Sequence, residues 1–460
     1  MSDPVTWDAG LVSRYDHAGP LYRAYPGPAH YHQTIRHRDI TTALEDSGRL
    51  QRPLSLYIHI PFCASACHHC SRTRLISRDR SRVQSYLAAL YREMELVGGN
   101  LQARSPVERL HLGGGTPALL GHGELAELMG QVRRIFDLRT DDNALYSVDI
   151  DPRAADWSTL GQLRELGFNH LNLGVPDLDG QVLEAINRPQ SAAQTQAMMD
   201  AARVLAYRSV SMDLLYGLPR QTGASFAGTL DRIIAMKPDR LSLRRYAHRP
   251  EHHAAQQRIN GAELPARDAC LQIYGDSLRR LLEADYRFIG VGQFAMPDDS
   301  LSLAREAGML IYGLQGYVPG VECDLIGFGV SAISRVGEVC WRNSCDVEGY
   351  RQALLGGRLA AQKGRVLSVD DRLRRLVIQQ LMCHFRLEFR AVEQRFGIDF
   401  HCYFADCHSV LAQMAADGLI RLTACGIEVL PAGRPLVTQI CSLFDAYLMA
   451  DSPSQSARHS

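Results

Sequence analysis

A chain of 460 residues whose Lys+Arg and Asp+Glu balance at 50 each exceeds what one hydrophobic core usually supports and carries no global charge for a polyanion. That balance argues against bulk nucleic acid as a partner, and no apolar run approaches the ~18 residues of a membrane helix. The N-terminus Met1-Ser2-Asp3-Pro4-Val5 lacks the basic-then-apolar pattern of a secretory signal, so the 12 cysteines are expected as free or metal-bound thiols of a soluble, cytoplasmic protein.

Residues 1–50 hold Pro and Gly turns, with a weak helical pattern at 39–50, and read as an N-terminal wrap. From Leu54 the pattern alternates. Strands are expected at 54–60, 107–112, 145–150, 170–174, 209–215 and 240–246, and an amphipathic helical stretch follows each of the first five. Strands and helices at this spacing predict parallel β/α units. Six of them make an α/β domain with an incomplete (βα)6 barrel, whose chemistry sits where strands end and loops begin. Beyond it come a helix at 266–284, a strand-like stretch at 286–291, a glycine-rich run at 313–337 and a turn-rich linker to about 368. Helices are then expected at 372–385, 391–396, 402–417 and 435–448, with a hairpin at 419–430 turning at Cys425-Gly426, an order that suggests a winged helix. The expected domains are therefore the wrap 1–50, a barrel with its extension 51–365, a mostly helical, winged-helix-like unit 366–450, and a polar, disordered tail 451–460.

The residues with unusual chemistry gather at one rim of this scheme. Directly after the first strand come Cys63, Cys67 and Cys70, at C-x3-C-x2-C spacing. A 4Fe-4S cluster normally takes four cysteines, so a compact trio leaves one iron open for an outside ligand. Buried unpaired thiols, or a zinc site completed by His59, His68 or His69, are the other readings. After the second strand, Gly113-Gly114-Gly115-Thr116-Pro117 lets backbone approach a ligand and offers N–H groups to a carboxylate. A tight turn capped by Thr116 explains it equally well. Asp149 ends the third strand. Asp213, in an apolar strand, suits a pair of ribose hydroxyls or caps a turn. Arg188 suits a carboxylate or stands on a helix surface. Tyr57 lies on a buried strand, where packing alone would account for it.

The trio after Tyr57-Ile58-His59-Ile60-Pro61-Phe62 resembles the signature of the radical S-adenosylmethionine (SAM) superfamily. Within it the chain is similar to the oxygen-independent coproporphyrinogen III oxidases. That likeness runs from Trp7-Asp8, Gly19-Pro20 and Tyr25-Pro26 through the glycine loop and Asp213-Leu214-Leu215-Tyr216-Gly217 to Gln315-Gly316-Tyr317, Gly329 to Ser334, and Cys383-His384-Phe385-Arg386. The resemblance implies that Cys63, Cys67 and Cys70 hold a 4Fe-4S cluster. It implies that one SAM meets Tyr57, Gly114, Asp149 and Ile333, with the glycine loop at its amino group. A second SAM would meet His69, Gly115, Thr116, Arg188, Asp213 and Ala247. It further implies that a reduced cluster splits SAM, that the deoxyadenosyl radical takes hydrogen from a propionate, and that the propionate loses CO2 to become a vinyl group. Implied partners are a tetrapyrrole and a flavodoxin- or ferredoxin-type electron donor, with the protein a monomer. Arg188, Arg244 and Arg245 are candidates to meet the tetrapyrrole's carboxylates.

Several positions depart from the family pattern. A fourth cysteine is Arg72, the acidic SAM contact is Asp149 instead of glutamate, and a glutamine is Pro176. An Asp-His pair is Gly292-Gln293, an arginine is Leu21, an asparagine is Arg245, and a phenylalanine is Leu314. They motivate an alternative: a diverged paralogue that cleaves SAM, or binds haem or metal, without oxidising coproporphyrinogen III. A DNA-binding redox sensor is a further class, but residues 405–417 of the winged-helix-like unit carry few of the cations that phosphate contacts demand.

Overall fold

The computed structural model describes residues 5–15, 25–32, 35–77, 79–102 and 105–450. Gly19, Pro20, Leu21 and the tail 451–460 lie outside them. Two compact units interleave along the chain, one of Tyr31–Cys270 with Glu322–Val366, the other of Met1–His30, Leu271–Val321 and Leu367–Ser460. The division thus runs in and out of the sequence, where the expected boundaries at 50, 365 and 450 run end to end.

In the first unit, β1 (Leu54–Ile60), β2 (Pro106–Gly114), β3 (Leu145–Ile150), β4 (His170–Gly174), β5 (Ser209–Tyr216) and β6 (Arg240–Arg245) lie side by side in chain order. All neighbours among them are parallel. This is the incomplete (βα)6 arrangement that the alternating pattern predicts. Successive strand residues face opposite sides of a sheet. One side therefore carries Tyr146, Val148, Leu171, Leu173, Met212, Leu214, Leu241 and Leu243, all buried. The other, half-open side carries Ser147, Asp149, Asn172, Asp213 and Arg244. The polar side is where the chemistry can reside.

On its far side β1 pairs in parallel with β7 (Asp324–Phe328), and β8 (Ile333–Val336), β9 (Val339–Asn343) and β10 (Ala361–Val366) follow antiparallel. The glycine-rich run 313–337 thus carries β7 and β8, and the stretch to about 368, expected as a turn-rich linker, carries β9, the helix Val347–Leu355 and β10. The glycines hide the alternation: Gly327 has no side chain because a Cβ there would lie 2.4 Å from the Ile333 carbonyl oxygen of the neighbouring strand.

The helix Arg80–Leu101 binds these strands to β1. Its Tyr86 hydroxyl donates to the His59 carbonyl at 2.7 Å and accepts from the Val330 N–H at 3.1 Å. Its Glu93 accepts from the Gly329 N–H at 2.8 Å, the Asn343 amide at 2.6 Å and the Tyr350 hydroxyl at 2.7 Å. Burial pushes the Glu93 carboxyl up to about 7, although those donors pull it down. Because this folded-state value exceeds the 4.5 of an ordinary glutamate, its contribution is complete below about 4.5 and is lost as pH rises through about 7. Between about pH 5 and pH 8, the wild-type chain should lose about 2–3 kcal/mol of unfolding free energy relative to Glu93→Gln. Denaturant titrations of both proteins across that range check this; parallel curves would refute it.

In the second unit, Trp7 packs on Tyr274 with ring centroids 5.3 Å apart, and Asp417 accepts from Arg14 at 2.9 Å and from the Tyr15 hydroxyl at 2.6 Å. Gln293 is tied to a nearby hairpin, its side-chain oxygen accepting from the Tyr317 N–H at 3.2 Å. The helix Val369–His384 leads into a winged-helix-like arrangement with a three-stranded sheet, Arg386–Glu388, Gly426–Val429 and Ile420–Thr423. Two expected helices are broken. That at 402–417 divides into Phe400–Tyr403 and His408–Ala416, and that at 435–448 into Val437–Ser442 and Ala446–Ala450. Phe404 and Phe444 lie at the two breaks, fully buried, with rings 5.1 Å apart edge to face. This packing prevails over helix continuity.

Candidate active site

The three cysteines follow β1 on a loop rooted in backbone pairing. The Gly115 N–H donates to the Ile60 carbonyl and the Thr116 N–H to the Phe62 carbonyl, each at 2.7 Å. Those two N–H groups are therefore committed to the cysteine loop and are not free for a ligand's carboxylate, as the sequence suggested. Thr116 makes no side-chain cap to the following turn. Its hydroxyl points instead at Cys63 Sγ, at 3.7 Å. Gly114 has φ +107°, a left-handed conformation that admits glycine readily.

Two guanidinium groups approach the second cysteine, Arg153 Nη2 at 3.4 Å and Arg188 Nη1 at 3.5 Å from Cys67 Sγ. Both also grip Asp151, Arg153 at 2.7 Å and Arg188 at 3.2 Å. Arg188 is thus buried and clamps a carboxylate of its own chain. Arg153 went unnoticed in the sequence, where its only signal is its place two residues after an aspartate at a strand end.

The donors fit a cluster. A hydroxyl and two cations aimed at sulfur suit thiolates, whose charge they offset. Among the described residues no three metal-binding side chains converge on one ion position; a 4Fe-4S cluster asks instead for sulfurs on separate irons. The zinc reading also loses His59. Its Nδ1 meets the Tyr57 hydroxyl and its Nε2 the Thr73 carbonyl, both at 3.0 Å, and burial pushes its imidazole down to about 4. The Nδ1 atoms of His68 and His69 are buried without a hydrogen-bond partner.

A chain of polar contacts crosses the half-open face of the sheet. Arg72 Nη1 donates to the Gly114 carbonyl at 3.1 Å and to Asp149 Oδ2 at 2.7 Å. Asn172 donates to Asp149 Oδ1 at 2.9 Å and to Asp213 Oδ2 at 3.2 Å. Arg244 donates to Asp213 Oδ1 at 2.8 Å. His111 Nε2 lies 3.5 Å from Asp149 Oδ1, and its ring stacks on Tyr57 at 5.7 Å between centroids. Burial alone would raise the Asp149 carboxyl, but Arg72 and His111 outweigh it and hold it well below the usual carboxylate range. It is a permanent anion at working pH.

The structure therefore brings Tyr57, Gly114, Asp149 and Asp213 into one polar band, and Cys63, Cys67, Gly115, Thr116 and Arg188 into the adjoining cysteine loop. Cys70 closes that loop, its N–H 3.4 Å from the Cys67 carbonyl, and the His69 carbonyl accepts from Gln256 at 3.3 Å. Ile333 opens β8, beside Gly327, which is the register partner of Tyr57. Ala247 stands exposed just past β6. Pro176 precedes Asp177, which is fully buried and accepts from the Leu178 N–H at 2.6 Å and from Gln221 at 2.6 Å.

The radical SAM superfamily model matches residues 57–233, and the HemN C-terminal domain model matches 367–436. Over 448 residues the chain is 49% identical to an oxygen-independent coproporphyrinogen III oxidase of Pseudomonas aeruginosa, with 97% of each chain covered. It is 38% identical over 445 residues to the protein of the same name in Escherichia coli, with 96% of each covered. A solved structure, described as coproporphyrinogen III oxidase (HemN) from Escherichia coli, a radical SAM enzyme, superposes with a TM-score of 0.91 at 36% identity. That match covers 97% of this chain and 100% of that one.

Proposed function

Because the chain belongs to the oxygen-independent coproporphyrinogen III oxidases, a family of radical SAM enzymes, we propose that it converts propionates of coproporphyrinogen III to vinyl groups, giving protoporphyrinogen IX in anaerobic haem biosynthesis. The observation that carries the reading is the full-length likeness at 49% identity, joined to a thiol trio in which Cys63 meets a hydroxyl and Cys67 two guanidinium groups. It does not favour the diverged paralogue.

In this reading Cys63, Cys67 and Cys70 hold the cluster. Bound together, the cluster and SAM supply the hydrogen-atom abstraction that starts loss of CO2. The chain's own work is positioning. Thr116, Arg153 and Arg188 steady the thiolates. Asp149, a fixed anion, accepts the amino group of SAM with the Gly114 carbonyl, while Tyr57 and Ile333 flank it. His69, Gly115, Thr116, Arg188, Asp213 and Ala247 are assigned to a second SAM. Arg188, Arg244 and Asp213 are already paired within the chain, so a second ligand must exchange with those partners. The protein is read as a cytoplasmic monomer reduced by a flavodoxin- or ferredoxin-type donor. No helix among the described residues is long and apolar enough to cross a membrane.

The test is anaerobic purification with a reconstituted cluster, followed by chromatography of coproporphyrinogen III, protoporphyrinogen IX and 5′-deoxyadenosine. Protoporphyrinogen IX together with 5′-deoxyadenosine is expected. Deoxyadenosine without vinyl product would overturn the assigned substrate, and absence of both would overturn the reaction.

A further inference from the structure

Arg72 stands where the family pattern has cysteine, and it reaches across 77 residues of sequence to Asp149. One of its nitrogens, Nη1, satisfies two acceptors from two different strand ends, the Gly114 carbonyl at 3.1 Å and Asp149 Oδ2 at 2.7 Å. Those are the acceptors assigned above to the α-amino group of SAM. An ammonium and a guanidinium nitrogen are alike in being charged donors with no acceptor capacity. The geometry points to Arg72 as an internal surrogate for the ligand's ammonium: it occupies the amino-group site, must give way as SAM enters, and so sets how tightly this chain holds its cosubstrate. The inference rests on the reading of Gly114 and Asp149 as amino-group contacts.

Three features make the exchange physically reasonable. The Asp149 carboxylate cannot turn to serve both cations, because its Oδ1 accepts from Asn172 at 2.9 Å and faces His111 at 3.5 Å. The Arg72 side chain is 44% exposed and that of Asp149 13%, so the guanidinium has the freer path to water. Arg72 also lies outside helix and strand, so swinging it away breaks no regular element. Exchanging one cation for another never leaves the enclosed carboxylate unpaired, which would be the costly state.

The test is anaerobic binding calorimetry on cluster-loaded wild type, Arg72→Ala, Arg72→Gln and Arg72→Lys. The ligands are SAM, decarboxylated SAM, which loses the carboxylate but keeps the ammonium and the sulfonium, and 5′-methylthioadenosine, which has none of the three charges. Iron and sulfide content verifies equal loading. Removing the surrogate should tighten decarboxylated SAM about tenfold in the Ala and Gln variants, as expected for one charge-assisted hydrogen bond no longer competed for. Methylthioadenosine should be unchanged, and Arg72→Lys should behave as wild type. Decarboxylated SAM binding no tighter in both neutral variants, or both test ligands shifting together, would overturn the role of Arg72. Wild type that binds none of the three ligands would instead overturn the SAM site on which the inference stands.

Discussion

Replacing Cys67 with alanine is expected to empty the site of iron and to cut product formation by at least about a thousandfold, since two thiolates cannot hold a 4Fe-4S cluster with an open corner. Cys67 is the most embedded of the three, 6% exposed. Its sulfur draws Arg153 and Arg188, and its carbonyl accepts from Arg74 at 2.9 Å. The fold should survive. Those arginines keep Asp151 as a partner, and alanine takes little from the core. The measurements are iron and sulfide content, the cluster's visible absorption, and the anaerobic product assay. A variant that retained a 4Fe-4S spectrum, or turned over within tenfold of wild type, would remove Cys67 from the ligand set.

The second large effect is expected at Gly115→Ala. A Cβ there would lie 2.5 Å from the Phe62 carbonyl oxygen and 2.9 Å from that of Ile60. Both are backbone atoms that cannot rotate aside, and the same residues accept the two N–H bonds that root the cysteine loop. Relief requires moving either β2 or the segment leading to Cys63, at about 1–3 kcal/mol by the usual cost of overpacking. Because the first leads to Thr116 and the second carries Cys63, cluster loading should fall with either movement. The lesion should thus appear both as a lower melting temperature and as iron content well below one cluster per chain. Gly123→Ala provides the contrast. No atom lies within 4 Å of a Cβ at that helical position, and stability there should hold or rise slightly. Equal behaviour of the two variants would show that the close approach at Gly115 has no consequence.

How much of this was legible beforehand depended on the range of the interaction. The six strands β1–β6 were readable because alternation between core and polar face is written in adjacent residues. The cysteine trio was readable because its ligands fall within a span of eight residues. The strands β7 and β8 do not show in the glycine-rich run because Gly327 and Gly329 remove side chains from the pattern where strands pack most closely. Arg72 could be seen to replace a cysteine, yet nothing local told that its partner would be Asp149. The N–H groups of Gly115 and Thr116 read as free in the sequence because their acceptors, Ile60 and Phe62, lie at and just past the end of another strand. Arg153 left almost no trace, since arginines after turns are ordinary. Asp149 was noticed for its place, and its settled negative charge became clear only with His111 and Arg72 around it.

The pairing of β1 with both β2 and β7 sets a schedule for assembly. A ribosome working at about 5–20 residues per second emits Asp324 on the order of ten to fifty seconds after Ile60. Throughout that interval the nascent chain exposes its thiols beside a strand edge that has no neighbour, a surface prone to wrong pairing. Delivery of iron and sulfide to these cysteines therefore belongs after translation, and truncated chains ending before Phe328 should be poor recipients.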